Sequence, residues 1–233
     1  MVEELIESSE FKSGDYAGAL RTSFLRIDEL LQTPKGQKEL SEISAKYCKG
    51  TALYGTQEGD EIAFNEGCTA CIILITKTEI YVANVGDSRC ILSQGGVATI
   101  LSKDHTPELE EEKKRIEAAG GNIEEGRVKG ILKLSRTLGD LEYKRNKDLK
   151  TEEQMIIALP DVRVESIKPD TEFLVIACKG VWECYKTEKL IAELRGEIWD
   201  TKTNKPIKKK LSKIITNMFD SILAADTSEE GKI

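Results

Sequence analysis

Apolar and polar positions change period several times along this chain. Tyr16, Ala19, Leu20, Phe24, Ile27, Leu30 and Leu31 recur at helical spacing between Ser13-Gly14-Asp15 and Thr33-Pro34, which predicts one amphipathic helix. Residues 36–66 are weakly patterned and polar, with several turn signals, and read as a frayed helix followed by a loop. From Cys68 the period shortens. The β-rich runs 71–75 and 80–85, divided by the polar Thr76-Lys77-Thr78-Glu79, predict a hairpin. Gly86-Asp87-Ser88-Arg89 reads as a turn, 90–93 as a third strand, Gln94-Gly95-Gly96 as another turn and 97–101 as a fourth strand. Connections this short cannot join parallel neighbours, so the expected arrangement is an antiparallel meander.

Beyond Leu101 the pattern becomes helical again. Thr106 suits an N-cap with Pro107 in the first turn, Glu108 to Glu112 lie at the positive end of the helix dipole, and Gly120-Gly121 end the helix. His105, just ahead, is expected to be a turn residue with no ligand role. Residues 144–153 are strongly charged and read as a mobile surface segment. Val162 and Val164 alternate with Arg163 and Glu165, as in a half-exposed strand. The apolar run Phe173-Leu-Val-Ile-Ala-Cys178 predicts a strand buried on both faces. That strand delivers Lys179 to a sheet edge, where an ammonium costs desolvation energy unless it is paired or reaches water. Two helices follow, one capped by Thr187 and one starting at Pro206, and the last eight residues are expected to fray. There are no repeats, low-complexity blocks or linkers, so residues 1–233 read as one α+β domain of helices on antiparallel sheets.

Composition narrows the function classes. A net charge of −7 argues against nucleic-acid partners and anionic membrane surfaces. No apolar run approaches the roughly 18 residues of a membrane span, so no membrane insertion is expected. Met1-Val2-Glu3-Glu4 is acidic and unlike a signal peptide. The six cysteines include a CxxC pair, Cys68 and Cys71, but no second pair at zinc spacing and only one histidine. Reduced core thiols at Cys71, Cys90 and Cys178 fit a cytoplasmic chain.

Several stretches resemble one family. Val82-Ala-Asn-Val-Gly-Asp-Ser-Arg89, Lys103-Asp-His105 with Glu110-Glu-Glu-Lys-Lys-Arg-Ile-Glu-Ala-Ala-Gly-Gly121, Leu134-Ser-Arg-Thr-Leu-Gly-Asp140 and Phe173-Leu-Val-Ile-Ala-Cys178 are similar to motifs of the PPM-type (type 2C) metal-dependent serine/threonine phosphatases. So are Phe11-Lys-Ser-Gly-Asp15, Phe24-Leu-Arg-Ile-Asp-Glu-Leu-Leu31 and Gly67-Cys-Thr-Ala70, the last in place of Gly-Ser-Thr-Ala. The resemblance implies an α-β-β-α sandwich, two antiparallel sheets flanked by helices. It also implies a magnesium or manganese centre, held by aspartates, that activates water for attack on a phosphoserine or phosphothreonine.

The departures from the family pattern fall on that centre. No Asp-Gly-His-Gly-Gly motif occurs in the 233 residues, and no Asp-Asn pair near the C-terminus. Lys179 stands before Gly180 where the family has aspartate. The domain is therefore expected to be incomplete at both ends, without the family's N-terminal strands and C-terminal strand. At about 4 Å and an effective dielectric near 20, two unit charges interact by about 4 kcal/mol, and a divalent ion doubles this. On that magnitude Lys179 and a divalent cation exclude each other.

The expectation is thus a pseudophosphatase and not an enzyme. It would have no catalytic residues, a degenerate metal-ligand position at Lys179, only weak residual metal candidates in Asp87 and Glu183, and no cofactor. It would act as a binding or structural subunit among protein partners in a larger assembly that covers its open sheet edges. Lys144, Arg145 and Lys147, in a segment that flanks the family's site, are possible partner contacts. The alternative is an active magnesium- or manganese-dependent serine/threonine phosphatase, or a part-site completed by another chain.

Overall fold

The computed structural model describes residues 1–47 and 66–223. The expected loop after residue 47, Cys48 and the final eight residues lie outside them. Among the described residues no helix is long and apolar enough to cross a membrane.

The chain opens with two short helices, α1 (Val2–Glu7) and α2 (Ser9–Ser13). The helix expected after Asp15 is α3 (Tyr16–Gln32), and Asp15 caps it by accepting from the Gly18 amide. Thr33 ends that helix and caps the next by accepting from the Gly36 amide. Pro34 thus stands at the first position of α4 (Pro34–Tyr47), where its missing N–H costs nothing. The weakly patterned stretch begins, therefore, with a real helix.

Five strands follow: β1 (Gly67–Cys68), β2 (Ala70–Ile75), β3 (Glu79–Val85), β4 (Arg89–Gln94) and β5 (Val97–Ile100). Next come α5 (Glu110–Ala118), the small ribbon β6 (Ile123–Glu124) and β7 (Arg127–Val128), and β8 (Leu138–Gly139), which pairs with β1. Then come β9 (Asp161–Ser166), β10 (Thr171–Ala177), α6 (Lys179–Cys184) and α7 (Thr187–Ile198). The ribbon β11 (Trp199–Asp200) and β12 (Lys205–Pro206) precedes α8 (Leu211–Asp220). The last helix thus begins five residues after Pro206, because Pro206 pairs with Trp199 in the ribbon. Likewise α5 begins at Glu110; Thr106 and Pro107 form a separate turn closed by the Leu109 amide on the Thr106 carbonyl.

The strands form two antiparallel three-stranded sheets, ordered β2-β3-β9 and β10-β4-β5. Here the meander expectation fails. The turn 86–88 does not pair β3 with β4; it carries the chain from one sheet to the other. A short connection can do this because the sheets are stacked. Alternation along the strands follows from that stacking. Ile80 and Val82 of β3 meet Cys90 and Leu92 of β4 between the sheets, with Leu101. Ala83 and Val85 face the other way, against Ala19, Leu20 and Phe24 of α3. Ile91 packs beneath Val181, Trp182, Leu190, Ile191 and Leu194 of α6 and α7. The result is the expected α-β-β-α order of layers.

One correction concerns β10. The run 173–177 is only half-buried, and Ile176 is 50% exposed. Among the described residues β10 pairs with β4 alone, so it is an edge strand.

Candidate functional site

The register between β4 and β10 sets the geometry of the site. Ala177 pairs with Arg89, and each step outward along one strand moves one step back along the other. Two positions beyond that pair, Lys179 therefore comes opposite Asp87. Its Nζ lies 3.0 Å from Asp87 Oδ2, with the Asp87 side chain 9% exposed and that of Lys179 40% exposed.

Both residues are held from below. Asp87 follows Gly86, whose φ of 95° lets the chain turn where a side chain would be strained. The Gly86 amide donates to His105 Nδ1 at 3.1 Å, and the Gly86 carbonyl accepts from the His105 amide at 3.0 Å. His105 is thus a buried clamp on the site turn, not a bland turn residue. Ser88 joins Thr69 through their hydroxyls at 2.8 Å, and Arg89 makes a two-pronged pair with Asp104 at 2.7 and 2.8 Å. On the other side, Lys179 is the first residue of α6. That helix is anchored by buried Val181 and Trp182, and Trp182 Nε1 donates to the Ala177 carbonyl at 2.8 Å.

Glu183, the second residual metal candidate, is exposed and forms no ion pair or hydrogen bond with Asp87 or Lys179 among the described residues. Nor do any three His, Cys, Asp or Glu side chains gather there in a way that could hold a metal ion. A hard divalent cation needs about six oxygen ligands. One carboxylate already paired with an ammonium does not meet that need, so the described donor set does not fit the metal centre implied by the resemblance.

Beneath the site lies an ionic cluster that sequence reasoning missed. Buried Glu112 accepts from Arg136 Nε and Nη2 at 3.0 and 2.6 Å and from Arg115 Nη1 at 2.7 Å. Burial alone would raise the Glu112 pKa, but the Arg136 and Arg115 guanidinium groups outweigh it and leave the carboxyl below its ordinary value. Arg136 continues to Asp161 Oδ1 at 2.9 Å, and His105 Nε2 faces Asp161 Oδ2 at 3.2 Å. The His105 ring N–H and the Arg136 guanidinium hold Asp161 well below the usual carboxylate range. A signal existed: Glu112 shares the inward face of α5 with Ile116, four residues on.

The proposed contact group Lys144, Arg145 and Lys147 is divided by the structure. Arg145 and Lys147 are exposed. Lys144 is not, because Leu141 and Tyr143 bury in a short 3-10 turn and draw it inward onto Asp28 at 2.8 Å. The segment after it is also tied down. The Gln154 side chain donates to the Asn146 and Leu149 carbonyls and accepts from the Asn146 amide.

A family model described as Protein phosphatase 2C matches residues 1–231. "Protein phosphatase 2C 1" of Paramecium tetraurelia is 41% identical over 228 residues, covering 98% of this chain and 71% of the relative. "Probable protein phosphatase 2C 21" of Arabidopsis thaliana is 35% identical over 248 residues, covering 97% and 68%. Among solved structures, a phosphatase from a pathogenic strain of Toxoplasma gondii matches 61% of this chain at 36% identity with a TM-score of 0.54; the chain spans 43% of that protein. A serine-threonine phosphatase 2C from Toxoplasma gondii matches 94% of the chain and 73% of its own length with a TM-score of 0.60, and at 16% identity it supports the fold alone.

These relatives overturn the expectation that the chain is not an enzyme. Identity near 40% over almost every residue, to proteins named as phosphatases, points to an enzyme. The charge argument at Lys179 bears on one ligand position; it does not decide the chemistry of the whole protein.

Proposed function

Because the chain belongs to the protein phosphatase 2C family, we propose that it acts in the hydrolysis of phosphoserine or phosphothreonine in proteins. The observation that carries this reading is the 41% identity over 98% of the chain. The fold adds support, since both sheets and the helices on each outer face are present and the Asp87 turn is held rigidly by His105. A bound divalent metal would supply an activated water and charge stabilisation at the phosphoryl group. The described carboxylates do not complete such a centre. The part of this chain is to fix the sandwich and one wall of the site.

The test is release of inorganic phosphate from a phosphothreonine peptide, with manganese or magnesium present. It is run on the purified chain and on the chain purified with its native partners. Release that follows the protein through size-exclusion chromatography, and that a chelator abolishes, is the expected result. No release above background in either preparation would overturn the proposal.

A further inference from the structure

We infer that Lys179 is the resident cation of Asp87. Its ammonium takes the place on that carboxylate which a divalent ion would need, and a metal reaches Asp87 only by displacing it. The inference deepens the proposed function and rests on it only for the kind of ion that competes.

The pair is built into the fold. Asp87 is a buried carboxylate, 9% exposed, and Lys179 is its ion-pair partner among the described residues. A buried carboxylate without a counter-charge is costly, and the Lys179 ammonium supplies that counter-charge. The nearby guanidinium of Arg89 feels the Asp87 charge through space but makes no ion pair with it among the described residues, because its Nε and Nη2 are committed to Asp104. The lysine is also placed without a long search of rotamers. Sheet register brings position 179 opposite position 87, and the Trp182 anchor fixes the first turn of α6 there. A compact ammonium with three donors can serve a single carboxylate, whereas a divalent ion needs several fixed oxygens that the described residues do not provide. The site therefore favours the internal cation through charge repulsion against an incoming metal, which loss of the ammonium would relieve.

Manganese titration of the purified chain tests this, with binding followed by the paramagnetic resonance of free manganese and by the melting temperature. Wild type is expected to show no manganese binding that Asp87→Asn removes. Lys179→Asp exchanges a repulsion for an attraction and is expected to gain at least about tenfold in manganese affinity. That gain should vanish in the Lys179→Asp/Asp87→Asn double variant. Should Lys179→Asp fail to fold, Lys179→Ser takes its place, since it frees Asp87 without adding a second negative charge. Two results would overturn the inference: wild-type manganese binding that Asp87→Asn weakens by about tenfold or more, or Lys179 variants that bind manganese no better than wild type. Because the readout is binding, a chain that shows this pattern without phosphate release loses the proposed function and keeps the inference.

Discussion

The ammonium of Lys144 sits 2.8 Å from the carboxylate of Asp28, with the two side chains 4% and 3% exposed. The residues are 116 positions apart, and their pair ties α3 to the turn after β8. Asp28 also accepts from the Gly139 amide at 2.8 Å, and Lys144 donates to the Thr137 carbonyl at 2.8 Å. Burial pushes the Lys144 pKa below its ordinary value, against the pull of Asp28.

Removing one partner should therefore cost far more than a surface ion pair would. Lys144→Met is expected to destabilise the protein by about 3–5 kcal/mol, because it strands a buried carboxylate. Adding Asp28→Asn removes that charge while leaving an oxygen for the Gly139 amide, so the double variant should recover part of the loss. Urea denaturation of the four proteins measures both terms. A loss below about 1 kcal/mol for Lys144→Met would place the pair in the class of solvated surface bridges and contradict its burial.

Asp161 provides a pH signature. Its carboxyl is held below the usual range, first by the His105 ring N–H and then by Arg136. A folded-state pKa below the unfolded one gives stability that is fully present above the unfolded value, about 3.9, and is lost as pH falls from there toward the depressed value. The stability difference between wild type and Asp161→Asn should thus shrink as pH falls below about pH 4. Denaturation midpoints across that range check this. A difference that persists unchanged to about pH 2 would mean that the carboxyl's charge is not what matters.

The hydrophobic pattern carried the fold further than it carried the site. Helical spacing located α3 and alternation located β9, because each has one face turned to a core, whereas β3, buried on both faces, showed as a β-rich run. Lys179 was legible as a misplaced charge at a strand end, but its choice of Asp87 over Glu183 depended on the β4–β10 register, which local sequence does not encode. The crossing between sheets at 86–88 was hidden for the same reason: a three-residue link looks like a hairpin until the partner strands are known. Lys144 was misjudged, and the burial of Glu112 missed, because both lie among many charged neighbours. Their burial is set by Leu141, Tyr143 and Ile116, whose packing draws the polar neighbours inward.

Cysteine labelling tests the inter-sheet core. Burial pushes the Cys71 thiol up to about 11 and the Cys90 thiol up to about 12. At pH 8 those values leave a thiolate fraction on the order of one in 10³ and one in 10⁴, and only the thiolate reacts. Cys178, by contrast, is exposed at the end of β10. Iodoacetamide at pH 8 should modify Cys178 well before Cys71 and Cys90, which should react only after unfolding. Peptide mapping by mass spectrometry reads the order, and equal rates at Cys90 and Cys178 would refute the stacking of the two sheets.

The turn that presents Asp87 depends on Gly86, and its substitution separates two costs. At a φ of 95° an alanine is strained by its own backbone, at about 1–2 kcal/mol. Its Cβ would also stand 2.4 Å from the Cγ2 methyl of Thr69, closer than two carbons can approach. Gly86→Ala should therefore exceed the backbone cost alone. Thr69→Ser deletes that methyl and keeps the hydroxyl bonded to Ser88. In the Gly86→Ala background it should restore only part of the share of stability due to the clash, since the Thr69 Cβ would still stand 2.7 Å away, and leave the backbone share unrecovered. Chemical denaturation of the two single variants and the double variant gives the share due to the methyl. Full recovery in the double variant would mean that the turn does not hold the left-handed backbone at all. No recovery would mean that Thr69 does not pack on it. Either outcome would remove the rigid support proposed for Asp87 and, with it, the fixed geometry of its pair with Lys179.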